Sequence, residues 1–274
     1  MTRERNGRGG KEWTRGEMKG ARGEMAILKL TIVGSGDAFG SGGRCHTCFH
    51  VEAGFGNFLI DIGASALPAL NKSRIDLGDI DAIFISHLHG DHFAGLPFAE
   101  LQAAYVERRN KPLTIFGPQG IKARYHALAE AMFPGMTTKS RPFDMSFEEM
   151  HAGQPNLWRG MSVEAFEVEH PSGAPSHALR FSAGGKILAY SGDTQWCDCL
   201  VSAGQDADLF LLECYGYDRD TPYHMNWAVI QKQLPRLRAK RVVLTHMSRR
   251  MLDSLAHLHG CGVEIAEDGL VLDI

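Results

Sequence analysis

Long apolar runs are missing from this chain. No window of its 274 residues approaches the ~18 uninterrupted apolar positions that a bilayer span needs, so no membrane partner is expected. Residues 1–25 carry seven Lys or Arg and four Glu, but no apolar run of the about 7–15 residues found in a signal peptide. Cysteine is sparse, at six. Cys45-x-x-Cys48 has metal or redox spacing, but a zinc ribbon requires a second matching pair, and Cys197-x-Cys199 has a different length and lies far along the chain. All six cysteines, with Cys214 and Cys261, are therefore expected as free thiols in a reducing, cytoplasmic setting. Charge of one sign is lacking too. The net charge of -3 removes the simplest case for nucleic-acid binding by bulk charge, and the +3 on residues 1–25 leaves -6 on the remainder. There is no G-x-x-x-x-G-K-[ST] and hence no P-loop. What is plentiful is glycine, 31 residues, which implies tight turns and loops that approach something closely, and histidine, 13 residues, which makes metal chemistry worth seeking.

Residues 1–25 are set aside as a solvated, disordered N-terminal extension, and 26–274 are expected to form one domain. Apolar patterning predicts strands over 28–33, 49–51, 58–62, 81–86, 113–116, 163–168, 178–181, 186–191, 208–213 and 241–245. Helices are predicted over 97–108, 121–132 and 227–234. The strand-and-helix pattern occurs roughly twice, with no short-period repeat and no linker between the halves.

Directly after the buried run Asp81–Ser86 stands His87-Leu-His89-Gly-Asp91-His92. In an extended turn, positions i and i+2 point the same way, so His87 and His89 can grip one metal ion while Asp91 and His92 grip a second beside it. Near the C-terminus His257-Leu-His259-Gly repeats the first four letters, but Cys261 and Gly262 follow instead of Asp-His, and no strand precedes it. That second segment is expected to be plain surface.

The complete His-x-His-x-Asp-His run resembles the signature of the metallo-β-lactamase-fold hydrolases. Further matches follow in order, each after a short predicted strand: His170 in VEHP, Asp193 in YSGDT and His246 in VVLTH, with Asp61 in FLIDIG similar to the family's buried aspartate that supports the metal loop. The resemblance covers nearly all of residues 28–274. It implies an α/β (α+β) fold, a four-layer αβ/βα sandwich of two mixed β-sheets flanked by helices. It also implies two divalent ions, zinc first and manganese or iron as alternatives, because the ligands are all nitrogen and oxygen. His87, His89 and His170 would hold one ion, Asp91, His92 and His246 the other, and Asp193 would bridge them. A hydroxide shared by the pair would be the nucleophile, oriented by Asp91.

Two dications, two carboxylates and one hydroxide sum to about +1, which favours an anionic phosphodiester. In the phosphodiesterase branch that includes RNase Z, a glutamate and a loop histidine lie between the last two ligands, and Glu213 and His224 resemble them. Met225 and Asn226 follow His224 where that branch carries Ser-Thr. Ser35, Gly36 and Arg44, from the glycine-rich segment at 34–44, are candidate substrate contacts, as is Tyr215.

Only 23 positions separate His170 from Asp193, too few for the tRNA-gripping arm of RNase Z, and the branch's Pro-x-Lys-x-Arg-Asn loop is missing near residue 40. With 28 residues after His246, no helical substrate domain of the glyoxalase II kind is expected, and Asp193 stands where zinc β-lactamases carry cysteine. A small nucleotide or cyclic phosphodiester is thus the expected substrate, ahead of a carboxylic ester, lactone or thioester and of tRNA 3′ ends. A homodimer is a further implication, with Leu101 and Tyr105 as the apolar surface that would serve it.

Overall fold

A computed structural model describes residues 28–274; the extension expected over 1–25 lies outside the described residues. Residues 28–149 supply six strands: β1 (Lys29–Gly34), β2 (Cys48–Ala53), β3 (Gly56–Ile60), β4 (Ile80–Phe84), β5 (Leu113–Gly117) and β6 (Met145–Glu149). The rest supplies β7 (Asn156–Trp158), β8 (Met161–Val168), β9 (Ser176–Ala183), β10 (Lys186–Tyr190), β11 (Leu209–Glu213), β12 (Val242–Thr245), β13 (Glu264–Ile265) and β14 (Val271–Asp273). They form two seven-stranded sheets, ordered β14-β1-β2-β3-β4-β5-β6 and β13-β12-β11-β10-β9-β8-β7.

Each sheet is half antiparallel and half parallel. In the first, β14, β1, β2 and β3 pair antiparallel, while β3, β4, β5 and β6 run parallel. In the second, β7 to β10 pair antiparallel and β10 to β13 run parallel. The parallel strands explain the continuous apolar runs, since helices outside and the other sheet inside bury both of their faces. Helices α1 (Ala66–Lys72), α2 (Gly90–Phe93), α3 (Leu96–Leu101) and α4 (Ile121–Met132) belong to the first half, and α5 (Cys199–Ala203), α6 (Trp227–Gln233) and α7 (Arg249–Asp253) to the second.

Three apolar clusters fill the layers. The middle one joins the sheets and is rich in aromatic rings, with Phe84 stacked on Phe116 at 4.6 Å and edge-on to Phe58 at 5.4 Å. The outer two seat the helices, through Leu70, Leu96 and Tyr125 on one side and Leu200, Ile230 and Met251 on the other. The four-layer sandwich expected from the sequence is the architecture found.

Local differences from the sequence reading are small. The helix expected over 97–108 is α-helical only to Leu101, after which Gln102–Val106 widens into a π-helical turn closed by Glu107 N–H to the Gln102 carbonyl at 3.0 Å. Cys197 and Cys199 are bonded to each other, so four cysteines rather than six are free thiols. Their Cα atoms are 5.3 Å apart, inside the range that a disulfide can bridge. His257 and His259 are exposed, as expected of a surface segment.

Candidate metal centre

In parallel sheets, ligands gather beyond the carboxyl ends of the strands. Here those ends deliver Asp61 after β3, His87 after β4, Asp193 after β10, Glu213 at the end of β11 and His246 after β12, while His170 follows β8. The turn α2 then lifts Asp91 and His92 back to the same place.

Two residues that shape the cluster take backbone conformations rare for side-chain-bearing residues, Asp61 at φ +56° and His246 at φ +57°. Gly63 is required by close approach, because a Cβ there would lie 2.1 Å from the Asp91 carbonyl oxygen.

The side chains converge on the Asp193 carboxylate. Its Oδ2 lies 3.1 Å from His246 Nε2, 3.3 Å from His92 Nε2, 3.9 Å from His87 Nε2 and 4.0 Å from His170 Nε2. Asp91 Oδ2 is 3.2 Å from His92 Nε2, and His89 Nδ1 faces His170 Nε2 at 3.0 Å. Three sets of donor atoms each fall within 4.8 Å of one another: His87, His89 and His170; Asp91, His92, Asp193 and His246; and His170, Asp193 and His224. The first two sets are the two groups expected from the sequence.

Four of the histidines have Nδ1 anchored and Nε2 turned inward. Ser86 Oγ is 3.0 Å from His87 Nδ1, Asp61 Oδ2 is 2.8 Å from His92 Nδ1, the Tyr223 carbonyl is 3.0 Å from His170 Nδ1, and Thr47 Oγ1 is 3.5 Å from His246 Nδ1. Supporting contacts of this kind fix the tautomer and aim of metal-binding imidazoles. Asp61 is central to them. Buried completely, it also accepts from Ser86 N–H at 2.7 Å, Ser86 O–H at 2.8 Å and Tyr190 O–H at 3.1 Å.

The residues fit a pair of cations on three counts. The donors are all nitrogen and oxygen. His87 Nε2 and Asp193 Oδ1 are buried without any hydrogen-bond partner, an unfavourable arrangement unless an ion completes it. Protonation agrees at His87, His170, Asp91 and Asp193, because metal ligands must be deprotonated. Burial holds His87 well below the ordinary histidine value and His170 down at about 4. Against the opposing effect of burial, His92 draws Asp91, and His246 and His92 draw Asp193, well below the usual carboxylate range. His92 itself is raised, burial being outweighed by Asp193, Asp91 and Asp61, a field that equally attracts a cation.

Beside the cluster, His224 Nδ1 is 3.1 Å from Glu213 Oε1, which also accepts the Thr194 N–H at 2.6 Å. Burial works against a charge on His224, but the Glu213 hydrogen bond and carboxylate lift it to about 9. Tyr215 packs against the His224 ring at 4.8 Å and the His246 ring at 6.3 Å, so it stands at the site.

The other candidate substrate contacts are engaged in holding loops together. Ser35 donates its O–H to Asp268 at 2.8 Å and accepts the His246 N–H on its carbonyl at 3.0 Å. Gly36 N–H bonds to the Cys45 carbonyl at 2.7 Å. Arg44 Nη1 bonds to Ser35 Oγ at 3.1 Å and to the Ala266 carbonyl. Sequence reasoning missed Ser86, Tyr190 and Thr47. Ser86, adjacent to His87, had a positional signal; Tyr190 and Thr47 had none.

Two mixed sheets with this His/Asp dimetal cluster at their shared edge define a metal-dependent hydrolase of the metallo-β-lactamase fold. The family described as Anti-Pycsar protein Apyc1 matches residues 28–263, and the chain belongs to it. Among relatives, Ribonuclease Z of Methanosarcina acetivorans is 21% identical, over 90% of this chain and 96% of its own. The metallo-beta-lactamase fold protein YhfI from Bacillus subtilis superposes with a TM-score of 0.75 at 21% identity, covering 90% of this chain and all of its own. A diphosphatase from the PhnP family gives 0.73 at 19% identity, over 90% of this chain and 98% of its own. Both structural likenesses place the fold.

Proposed function

We propose that this hydrolase is a phosphodiesterase acting on a small nucleotide-type or cyclic phosphodiester. The observation that carries the reading is the Glu213–His224 pair set against the cluster, with a His224 ring nitrogen within 4.8 Å of donor atoms of His170 and Asp193. Alkoxide leaving groups need a proton, and a histidine held by a buried carboxylate is a suitable donor.

His87, His89 and His170 would hold one ion, Asp91, His92 and His246 the other, with Asp193 between them. Zinc suits this nitrogen and oxygen set, with manganese or iron as alternatives. When bound, the ions supply Lewis acidity and a water acidified toward pKa ~7. Asp91, at the edge of the cluster, would orient the attacking water and accept its proton. His224 gives its proton to the departing oxygen, and Glu213 keeps the imidazole aimed while stabilising its charge. With two dications bound, the sum of about +1 over ions, ligand carboxylates and hydroxide would favour an anionic diester over a neutral ester.

Among the described residues no arm extends from the interval between His170 and Asp193, which supports a small substrate. The interval from His170 to Asp193 is occupied by the β9–β10 hairpin, which turns at Gly184-Gly185. The relatives named for ribonuclease or diphosphatase activity also act on phosphate esters or anhydrides, which supports phosphorus as the centre attacked.

Metal-loaded protein incubated with bis(p-nitrophenyl) phosphate and a panel of 2′,3′-cyclic nucleotides should turn over at least one diester, in a chelator-sensitive manner. Turnover of esters, lactones or thioesters alone would replace this reading with acyl hydrolysis. His224→Ala should lower kcat on a cyclic nucleotide by roughly 10²–10⁴-fold and on the p-nitrophenyl diester far less, since p-nitrophenolate leaves without a proton.

A further inference from the structure

Next to the cluster, on the far side of Tyr215, lies a cavity of about 440 Å³ that the chemistry above does not use. Its walls include Asp37, Phe39, Tyr215, Arg219, Arg249 and Arg250. The volume is within the roughly 300–1,000 Å³ of small-molecule sites. Tyr215 is shared, lining this cavity while its ring packs against His224, so the pocket adjoins the metal centre across that ring.

Phe39 is 81% exposed, the most exposed of the large apolar side chains among the described residues. Its loop is nevertheless held firmly. The buried Asp37 carboxylate accepts the Phe39 N–H at 3.2 Å, the Ser41 N–H at 2.9 Å and the Ser41 O–H at 2.8 Å. At Gly42, φ is +70° and a Cβ would lie 2.7 Å from Leu252 Cδ1, so the loop presses on α7. An aromatic ring is thus presented to solvent on a fixed support, at an unfavourable cost in hydration unless something stacks on it.

The charges complete the site. Asp37 is saturated by its own loop, and Asp220 accepts from Asn226 Nδ2 at 2.8 Å. Arg250 pairs with Asp218 at 2.8 Å and Arg249 with Asp253 at 3.0 Å. The Arg219 guanidinium has no carboxylate partner among the described residues. One fixed aromatic face beside an uncommitted guanidinium, a short step from a phosphodiester-cleaving centre, matches a nucleoside: a flat base with oxygen and nitrogen acceptors, joined to the phosphate.

We infer that the cavity between the 37–41 loop and Arg219 is the nucleoside subsite, where the substrate's base stacks on Phe39 and accepts hydrogen bonds from Arg219 while its phosphodiester lies at the metal centre. This rests on the phosphodiesterase reading and adds which of this chain's residues would hold the base. It also makes Phe39 and Arg219 determinants of specificity that act on binding more than on bond breaking.

The test compares two diesters with the same leaving group, thymidine 5′-(p-nitrophenyl phosphate) and methyl p-nitrophenyl phosphate, on metal-loaded wild type, Phe39→Ala and Arg219→Ala. Both side chains are exposed, so the variants should fold. Each variant should lower the ratio of kcat/KM for the nucleoside ester over the methyl ester by about tenfold, through KM, as loss of one stacking or cation contact predicts. Thymidine 5′-monophosphate, as a competitive inhibitor of methyl-ester hydrolysis, should weaken by a similar factor. An unchanged ratio together with unchanged inhibition would overturn the subsite while leaving the phosphodiesterase reading intact. If wild type turned over neither ester, the reading of the reaction would fall, and the subsite with it.

Discussion

The first sheet delivers four of its cluster side chains, His87, His89, Asp91 and His92, from one six-residue stretch after β4. The second delivers His170, Asp193, Glu213 and His246 singly, from the ends of four different strands. Support is divided in the same way. Asp61 alone fixes His92 and, through Ser86, His87, whereas His170 and His246 are each held by a separate partner, the Tyr223 carbonyl and Thr47. A contiguous loop is economical but depends on one anchor. A dispersed set has no single anchor, but its members must be brought together by the whole sheet.

Asp193 is the exception that ties the two arrangements, being within 4.0 Å of imidazoles from both halves. Asp193→Ala should therefore have the largest effect, reducing bound metal from about two ions per chain to one or fewer, with hydrolysis lost in step. Elemental analysis of the purified variant reads this directly, and retention of two ions would show that Asp193 does not join the halves. Asp61→Asn comes next. It keeps the size but disturbs the acceptor that four groups share, and metal affinity, measured by competition with a chromogenic chelator, should fall by roughly 10–100-fold. A fall no larger than that for Thr47→Val would mean that support is spread evenly, against the contrast drawn between the halves.

The smallest effect concerns the second half alone. With Glu213 beside it His224 rises to about 9, so its proton is present at neutral pH and is lost as pH climbs through that value. Bound dications oppose the rise, which places the alkaline limb of kcat at or below about pH 9. Glu213→Gln should move that limb downward, toward the ordinary histidine value near ~6.5. The sign for stability is the same: a folded-state value above the unfolded one gives stabilisation that is complete below ~6.5 and disappears above about 9. A pH–rate profile with an unmoved alkaline limb would remove His224 from the role of proton donor.

The same contrast governs how much could be read from the sequence. His87 to His92 stood out because four ligand-type residues follow one buried apolar run, a purely local signal. His170, Asp193 and His246 are individually ordinary and were found only by resemblance, each at a strand end where the structure indeed puts them. The parallel strands were legible because burial on both faces leaves continuous apolar runs. The edge strands β6, β7, β13 and β14 were not: three of them have two or three residues, and β6 is largely exposed. The engagement of Ser35 with Asp268, 233 residues away, and of Tyr190 with Asp61, 129 away, depends on how the sheets dock, and no local pattern carries that information. The widening of the helix after Leu101 is likewise a matter of packing that apolar spacing does not encode.

Tyr190, from the second sheet, donates to the carboxylate in the first sheet that anchors the metal loop. Assembly of the metal centre and closure of the sandwich are therefore thermodynamically linked. An ion that binds the native cluster and not the unfolded chain stabilises the native state by RT ln(1 + [ion]/Kd), about 2.7 kcal/mol at a hundredfold excess over Kd. Because its ligands come from both sheets, that free energy acts as a cross-link between them, much as a disulfide would, but one whose strength is set by the supply of free metal around the protein.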